Sequence, residues 1–278
     1  MGMIASAPSS RGVFITFEGG DGAGKTTHIG FLADALEARG AEVVRLREPG
    51  GTPVGEALRA VVLDPAHEGL ADEAELLIYE AARAQVVAEV IEPALERGAV
   101  VLCDRFFDST VAYQAFGRGI DRAFVDAANR FSTRGLVPDR TLLMTCGGPE
   151  EGLVRVSGRR AGADRLEQAG AAFHERVAAG FAAIAQEDPA RVRVIRSDGP
   201  RSVTAAMIFH VLSDLFPWMG DARVCDEEYF AVLDAPGGRA SGSTPRPSQA
   251  PQVPRAGATS RAPQQPQASR PSQERARG

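Results

Sequence analysis

The chain has 278 residues, 44% of them hydrophobic, and a formal net charge of −5. That supplies the core of one α/β domain with a tail, while no apolar run is long enough to cross a membrane and no signal-peptide pattern opens the chain. The charge is uneven, +6 from Ala235 onward against −11 for the remainder; an acidic body argues against specific nucleic-acid binding and leaves phosphate recognition to local arginine clusters.

Residues 1–11 read as a flexible leader. From 12 to 218 strand-like and helix-like segments alternate, the pattern of a parallel sheet covered by helices. The first strand, Val13–Phe17, runs into Gly19-Gly20-Asp21-Gly22-Ala23-Gly24-Lys25-Thr26, which matches G-x-x-x-x-G-K-[ST]. A helix is predicted near 26–39. Strand, glycine loop and helix is the context this phosphate-binding loop needs, because backbone N–H groups and the helix dipole converge on one anion. Lys25 is the single lysine among 31 basic residues. A compact ammonium on a flexible stem suits a tight phosphate cradle that a guanidinium fork does not. Lys25 is therefore expected on the β- and γ-phosphates of ATP, and the Thr26 hydroxyl on Mg²⁺.

The second strand, Glu42–Leu46, leads into Arg47-Glu48-Pro49-Gly50-Gly51-Thr52, with Thr52 placed to cap a helix over 53–63 that Pro53 begins. Arg59 on that helix is either a phosphate ligand or a solvated face residue. A long helix over 72–97 carries Tyr79 and Arg83 four apart on one face, either a platform for a planar base or an ordinary surface pair. The third strand, Ala99–Cys103, ends in Asp104-Arg105. At a strand's C-terminal end this carboxylate can take a Mg²⁺-bound water and the arginine can bridge phosphates; the plain alternative is a strand-end ion pair. A helix over 108–116 carries Thr110, Tyr113 and Gln114, and another follows near 121–133.

The fourth strand, Thr141–Thr145, precedes a basic loop at about 152–167 holding Arg155, Arg159, Arg160 and Arg165. Such a loop is either a phosphoryl-transfer lid or a solvated basic segment. A helix near 169–186, a strand over 191–195 and a helix near 201–215 complete the domain. Residues 219–234 give no reading. Residues 235–278, rich in Pro, Arg, Ser and Gln, cannot offset their ordering entropy by burial and are expected to be disordered. Three cysteines (Cys103, Cys146, Cys225) without paired spacing point to a reducing, cytoplasmic setting.

Taken in order, the GxDGAGKTT loop, the REPGGT segment, Leu58-Arg59, Ala82-Arg83, Asp104-Arg105, the SxxxYQ segment and Gly-Arg-Gly-Ile-Asp at 117–121 resemble the thymidylate kinase family from about Val13 to Leu215. The resemblance implies a P-loop NTPase three-layer sandwich: a five-stranded parallel sheet, helices on both faces and a short lid. It implies ATP and dTMP as substrates, Mg²⁺, and a homodimer. It places Asp21 at the sugar 3′-OH, Arg59 and Arg105 on the acceptor phosphate, and Tyr79 stacked on thymine. It further places Arg83, Thr110 and Gln114 at the base, Tyr113 against the sugar 2′ position, and Pro49 in the same dTMP set. Gly22 stands where some relatives carry a P-loop arginine, which implies that Arg155, Arg159 and Arg160 supply that charge from the lid. The chain departs from the family at Thr145-Cys146, in the spacing of its lid arginines, and at Ala178 and Phe181, where Arg and Tyr are usual. Those departures motivate one alternative, a nucleotide-binding relative with little kinase activity; the other is a kinase for another deoxypyrimidine monophosphate, because Tyr113 and the Arg83 region do not fix the 5-substituent.

Overall fold

The structure, a computed structural model, describes residues 11–146 and 164–235. The leader up to residue 10, most of the predicted lid with Arg155, Arg159 and Arg160, and the tail from 236 lie outside them.

β-branched and aromatic runs build five strands: β1 (Phe14–Glu18), β2 (Val43–Arg47), β3 (Val100–Asp104), β4 (Arg140–Thr145) and β5 (Val192–Arg196). They pair in parallel in the order β2-β3-β1-β4-β5. Phe17 and Arg47 both stand opposite Asp104, so β1, β2 and β3 end abreast and their following loops leave side by side. The onward connections of the neighbours β1 and β3 run to opposite sides of the sheet, β1 toward β2 and β3 toward β4, and a ligand crevice belongs at that switch point.

Alternation along each strand separates two layers of core. Ile15 and Phe17 of β1, Leu102 of β3, and Leu142 and Met144 of β4 pack with Leu32 and Leu36 of α1 (Lys25–Glu37) and Phe209 near the end of Arg201–Leu212. On the other face, Phe14, Val101 and Cys103 pack on Val86, Val87 and Ile91. Leu143 and Val192 there meet Val177, Phe181 and Ile184 of the helix Ala171–Glu187. The result is an α/β sandwich with helices on both faces of an all-parallel sheet. Each fully buried Leu, Ile or Phe contributes about 1.5–3 kcal/mol of transfer free energy.

Helix α2 (Pro53–Leu63) is capped by Thr52, whose Oγ1 accepts from Gly55 N at 2.9 Å. The long helix expected over 72–97 is three pieces: α3 (Asp72–Val86), a π turn (Val87–Ile91) and α4 (Glu92–Glu96). Pro93 has no N–H to give Glu89, so the ladder cannot run through unbroken. The helix expected over 108–116 is a short α5 (Phe107–Thr110) followed by a π segment (Val111–Gly117). Helix α6 (Arg122–Ser132) is capped by Asp121, and the helices Ala171–Glu187 and Arg201–Leu212 are α7 and α8.

The stretch from 219 to 234, which the sequence left without a reading, is folded. A 3₁₀ turn (Pro217–Gly220) and α9 (Glu227–Ala231) bury Met219, Phe230 and Leu233 against α1 and α8. Phe230 lies 6.1 Å from Phe31 and 5.2 Å from Phe209 between ring centroids, and Arg39 stacks 3.5 Å over Trp218.

Candidate active site

Loops from β1, β2 and β3, with α2, α3 and the 107–117 segment, enclose a cavity of about 330 Å³, which suits a small ligand. Asp21, Pro49, Arg59, Tyr79, Arg83, Arg105, Thr110, Tyr113 and Gln114 all line it, together with Gly22, Gly24, Lys25, Thr26 and Asp104. Gly19, Gly20 and Ala23 complete the glycine loop behind that wall. Gly19 has φ +119, and an added Cβ would lie 2.1 Å from the Met144 carbonyl oxygen, so no side chain fits there.

Lys25 is buried at the start of α1, and its Nζ donates to the carbonyls of Gly19 (3.0 Å) and Gly20 (2.9 Å). Burial first, then the neighbouring Arg105 charge, lowers its pKa, against the pull of Asp104 and Asp21. Thr26 Oγ1 donates to Asp104 Oδ2 at 3.2 Å, which brings two hard oxygens together at the mouth of the loop. This pair fits Mg²⁺, which binds through one or two protein oxygens plus phosphate oxygens and water. Among the described residues no group of three or more His, Cys, Asp or Glu forms a protein-only metal cage.

Asp104 and Arg105 do not pair with each other. Arg105 takes a left-handed backbone (φ 69), uncommon for a side chain of this size, and its N–H continues the ladder to Phe17 O at 2.9 Å. That turn sends the guanidinium to Asp21 (Nη2 to Oδ1, 2.7 Å) and to Ser109 Oγ (3.2 Å), 5.2 Å from the Tyr113 ring centre. Burial opposes the Arg105 charge, but Tyr113, Asp21 and Asp104 hold its pKa well above the ordinary value. Burial would also raise the Asp21 carboxyl; Arg105 and Lys25 outweigh it and hold it at about 2. The glycine loop after β1 and the turn after β3 are thus joined by one ion pair.

Arg83 is fully buried. Its Nε donates to Glu48 (2.8 Å) and its Nη1 to Glu80 (3.0 Å) and Asn129 (2.9 Å). Burial pushes Glu48 up to about 7 against the Arg83 charge. Two buried oxygens on the cavity wall, Glu48 Oε1 and Thr110 Oγ1, have no hydrogen-bond partner. Buried polar atoms are rarely left so, and a polar ligand in the cavity would satisfy them. Gln114 gives its amide to Glu75 at 2.8 Å, leaving its carbonyl oxygen as the free function. Arg59 donates to Pro49 O at 3.0 Å from the opposite wall.

Several residues that brace the cavity wall from behind had no clear signal in the sequence. Glu18 ends β1 and is fully buried; it accepts from Phe106 N (2.7 Å) and Ser109 Oγ (2.5 Å), bracing the segment that carries Arg105. Burial first and Asp108 second push its carboxyl up to about 8. The one hint was an acid closing the mostly apolar strand Phe14–Glu18. Glu75 gathers Gln114, Arg118 and Arg165. Arg165, read as one of the lid arginines, is instead buried, bound to Glu75 and donating to Val62 O at 3.1 Å. Phe181 packs edge-on against Tyr113 at 6.2 Å from the back of the cavity.

The sequence model of the family described as Thymidylate kinase matches residues 17–208. The thymidylate kinase of Gloeobacter violaceus is 48% identical over 197 residues, 70% of this chain and 92% of that protein. That of Pelotomaculum thermopropionicum is 50% identical over 187 residues, 66% and 85% of the two chains. Among solved structures, the thymidylate kinase from Ehrlichia chaffeensis superposes with a TM-score of 0.59 at 34% identity, covering 73% of this chain and 99% of that one.

Proposed function

The chain belongs to the thymidylate kinase family, and from that premise we propose that the cavity at the glycine loop is where it joins its two substrates. It is a dTMP kinase: ATP + dTMP → ADP + dTDP. The observation that carries the assignment of the site is the Asp21–Arg105 pair, which ties the ATP loop to a wall holding Tyr79, Arg83 and two unpartnered oxygens.

Gly19 to Thr26 cradle the ATP phosphates with Lys25 as the point charge. Arg59 and Arg105 hold the acceptor phosphate, and its oxygen attacks the γ-phosphorus in line, so no covalent enzyme intermediate is needed. Thr26 and Asp104 would hold Mg²⁺, which supplies charge neutralisation on the phosphates when bound. Tyr79 stacks on the base, with Arg83, Thr110 and Gln114 at its polar edge; Pro49 closes the turn beneath, Tyr113 bounds the sugar, and Asp21 takes the 3′-OH. Arg155, Arg159 and Arg160 complete the charge from the lid.

The enzyme works as a homodimer in the cytoplasm. Three helices packed in succession expose large apolar side chains: Val54 and Val61 on α2, Leu77 on α3, and Phe124 and Phe131 on α6. The three cysteines are unpaired, and among the described residues no helix is long and apolar enough to cross a membrane.

The test is coupled ADP release with Mg-ATP against dTMP, dUMP, UMP, dCMP and dGMP. The expected result is strong preference for dTMP. Preference for another acceptor overturns the base reading, and ATP binding without turnover on any acceptor overturns the kinase.

A further inference from the structure

His28, one turn into α1, is buried between two backbone carbonyls. Its Nδ1 lies 2.9 Å from Gly24 O, in the glycine loop, and its Nε2 lies 3.3 Å from Arg201 O, at the first turn of α8. A neutral ring donates to one of them, an imidazolium to both. Gly24 itself sits in a left-handed conformation (φ +87), so its carbonyl direction is set by a backbone state few residues adopt.

The same first turn of α8 is also held from elsewhere. Asp234 Oδ1 accepts from Arg201 N (2.9 Å) and Ser202 N (3.3 Å), satisfying two of the helix's open donors. Asp234 lies beyond the stretch that matches the family. It is brought there by the folded segment after Pro217, in which Phe230 and Leu233 are buried against Phe31 of α1 and Phe209 of α8. One bonded path therefore runs from Asp234 through Arg201 and His28 to Gly24.

We propose that His28 is a positioning residue for the ATP loop and that the C-terminal segment ending at Asp234 sets its placement, so that nucleotide affinity in this chain depends on an element outside the shared kinase core. Asp234 fixes the first turn of α8; the Arg201 carbonyl then fixes the imidazole; the imidazole fixes the Gly24 carbonyl and the N–H groups beside it. Because neither Asp234 nor His28 lines the cavity that holds Tyr79, Arg83 and Gln114, the effect is expected on ATP alone.

This rests on reading Gly19–Thr26 as the ATP loop, which saturation of the wild-type enzyme by ATP checks independently. The experiment measures KM for ATP, KM for dTMP, kcat and Tm for the wild type, Asp234→Ala, Asp234→Asn, His28→Ala and Asp234→Ala/His28→Ala. Asp234→Ala and His28→Ala should each raise KM for ATP roughly fivefold, the scale of one lost hydrogen bond, with KM for dTMP unchanged. The double variant should be no worse than His28→Ala, because both act on one path. Asp234→Asn keeps a capping oxygen and should restore the ATP KM. A fall in Tm with unchanged ATP KM would show the segment to be only a structural brace and overturn the proposal. Additive effects in the double variant, or equal changes in both KM values, would overturn it too. If the wild type fails to saturate with ATP, the underlying site assignment fails instead.

Discussion

At the scale of single residues the site is a set of charges made tolerable by pairing. Burial and the Arg105 charge lower the Lys25 pKa while Asp104 and Asp21 oppose them, and the proposed chemistry asks its ammonium to neutralise transferring phosphate. Lys25→Ala should therefore lower kcat at least about 100-fold, close to 3 kcal/mol of transition-state stabilisation, while far-UV circular dichroism stays native. Unchanged turnover in that variant would sink the mechanism. Glu18 makes a different prediction. Its folded pKa is raised from 4.5 to about 8, so folding takes up a proton between those values, and the stability linked to that proton is lost as pH rises through about 8. Gln at this position imitates the protonated form. The Tm of Glu18→Gln minus that of the wild type should climb from pH 5 to pH 8 and flatten above; Glu48, which titrates in both proteins, cancels in the difference. Parallel curves would refute the assignment. Lys25 was legible because lysine is so rare here. Glu18 was not, because its role depends on Phe106 and Ser109, roughly ninety positions away in the chain.

At the scale of elements, strands and most helices follow from local pattern, while their irregularities follow from contact. The π segment Val111–Gly117 carries Tyr113 and Gln114 and packs against α7 through two glycines. A Cβ on Gly180 would lie 2.9 Å from Phe116 Cγ and 3.0 Å from Ala112 Cα; one on Gly117 would lie 2.7 Å from Phe173. Gly180→Ala should wedge α7 away from this segment at a cost of about 1–3 kcal/mol, more than the helix propensity it gains. The urea midpoint should fall, and KM for dTMP should rise with it, because Tyr113 rides on the displaced segment. No periodicity reveals this seam, since a glycine inside a helix pattern reads only as a weak position. The same holds for the buried Arg83–Glu48 pair: four-residue spacing put Tyr79 and Arg83 on one face, but only packing showed that face to be a cavity wall rather than surface.

At the scale of the whole molecule, the proposed homodimer would cover the apolar side chains left exposed on α2, α3 and α6. Phe131, 86% exposed, is the sharpest probe. Phe131→Asp should shift the sedimentation coefficient from dimer toward monomer without lowering the monomer's own unfolding midpoint, since the side chain contributes little to its own core. A monomeric wild type would refute the dimer. What the sequence determined by itself was everything encoded in local order: the strand–glycine loop–helix unit, the alternation that demands a parallel sheet, and the ordered motifs that identify the family. Tertiary structure alone decided which charges meet. It turned Arg105 away from its neighbour Asp104 and onto Asp21, drew Arg165 down to Glu75, and folded the segment up to Asp234 back onto the helix beside the glycine loop. The reason is physical. Backbone propensity is set by adjacent residues, whereas a buried charge is stable only where distant parts of the chain converge to pair it.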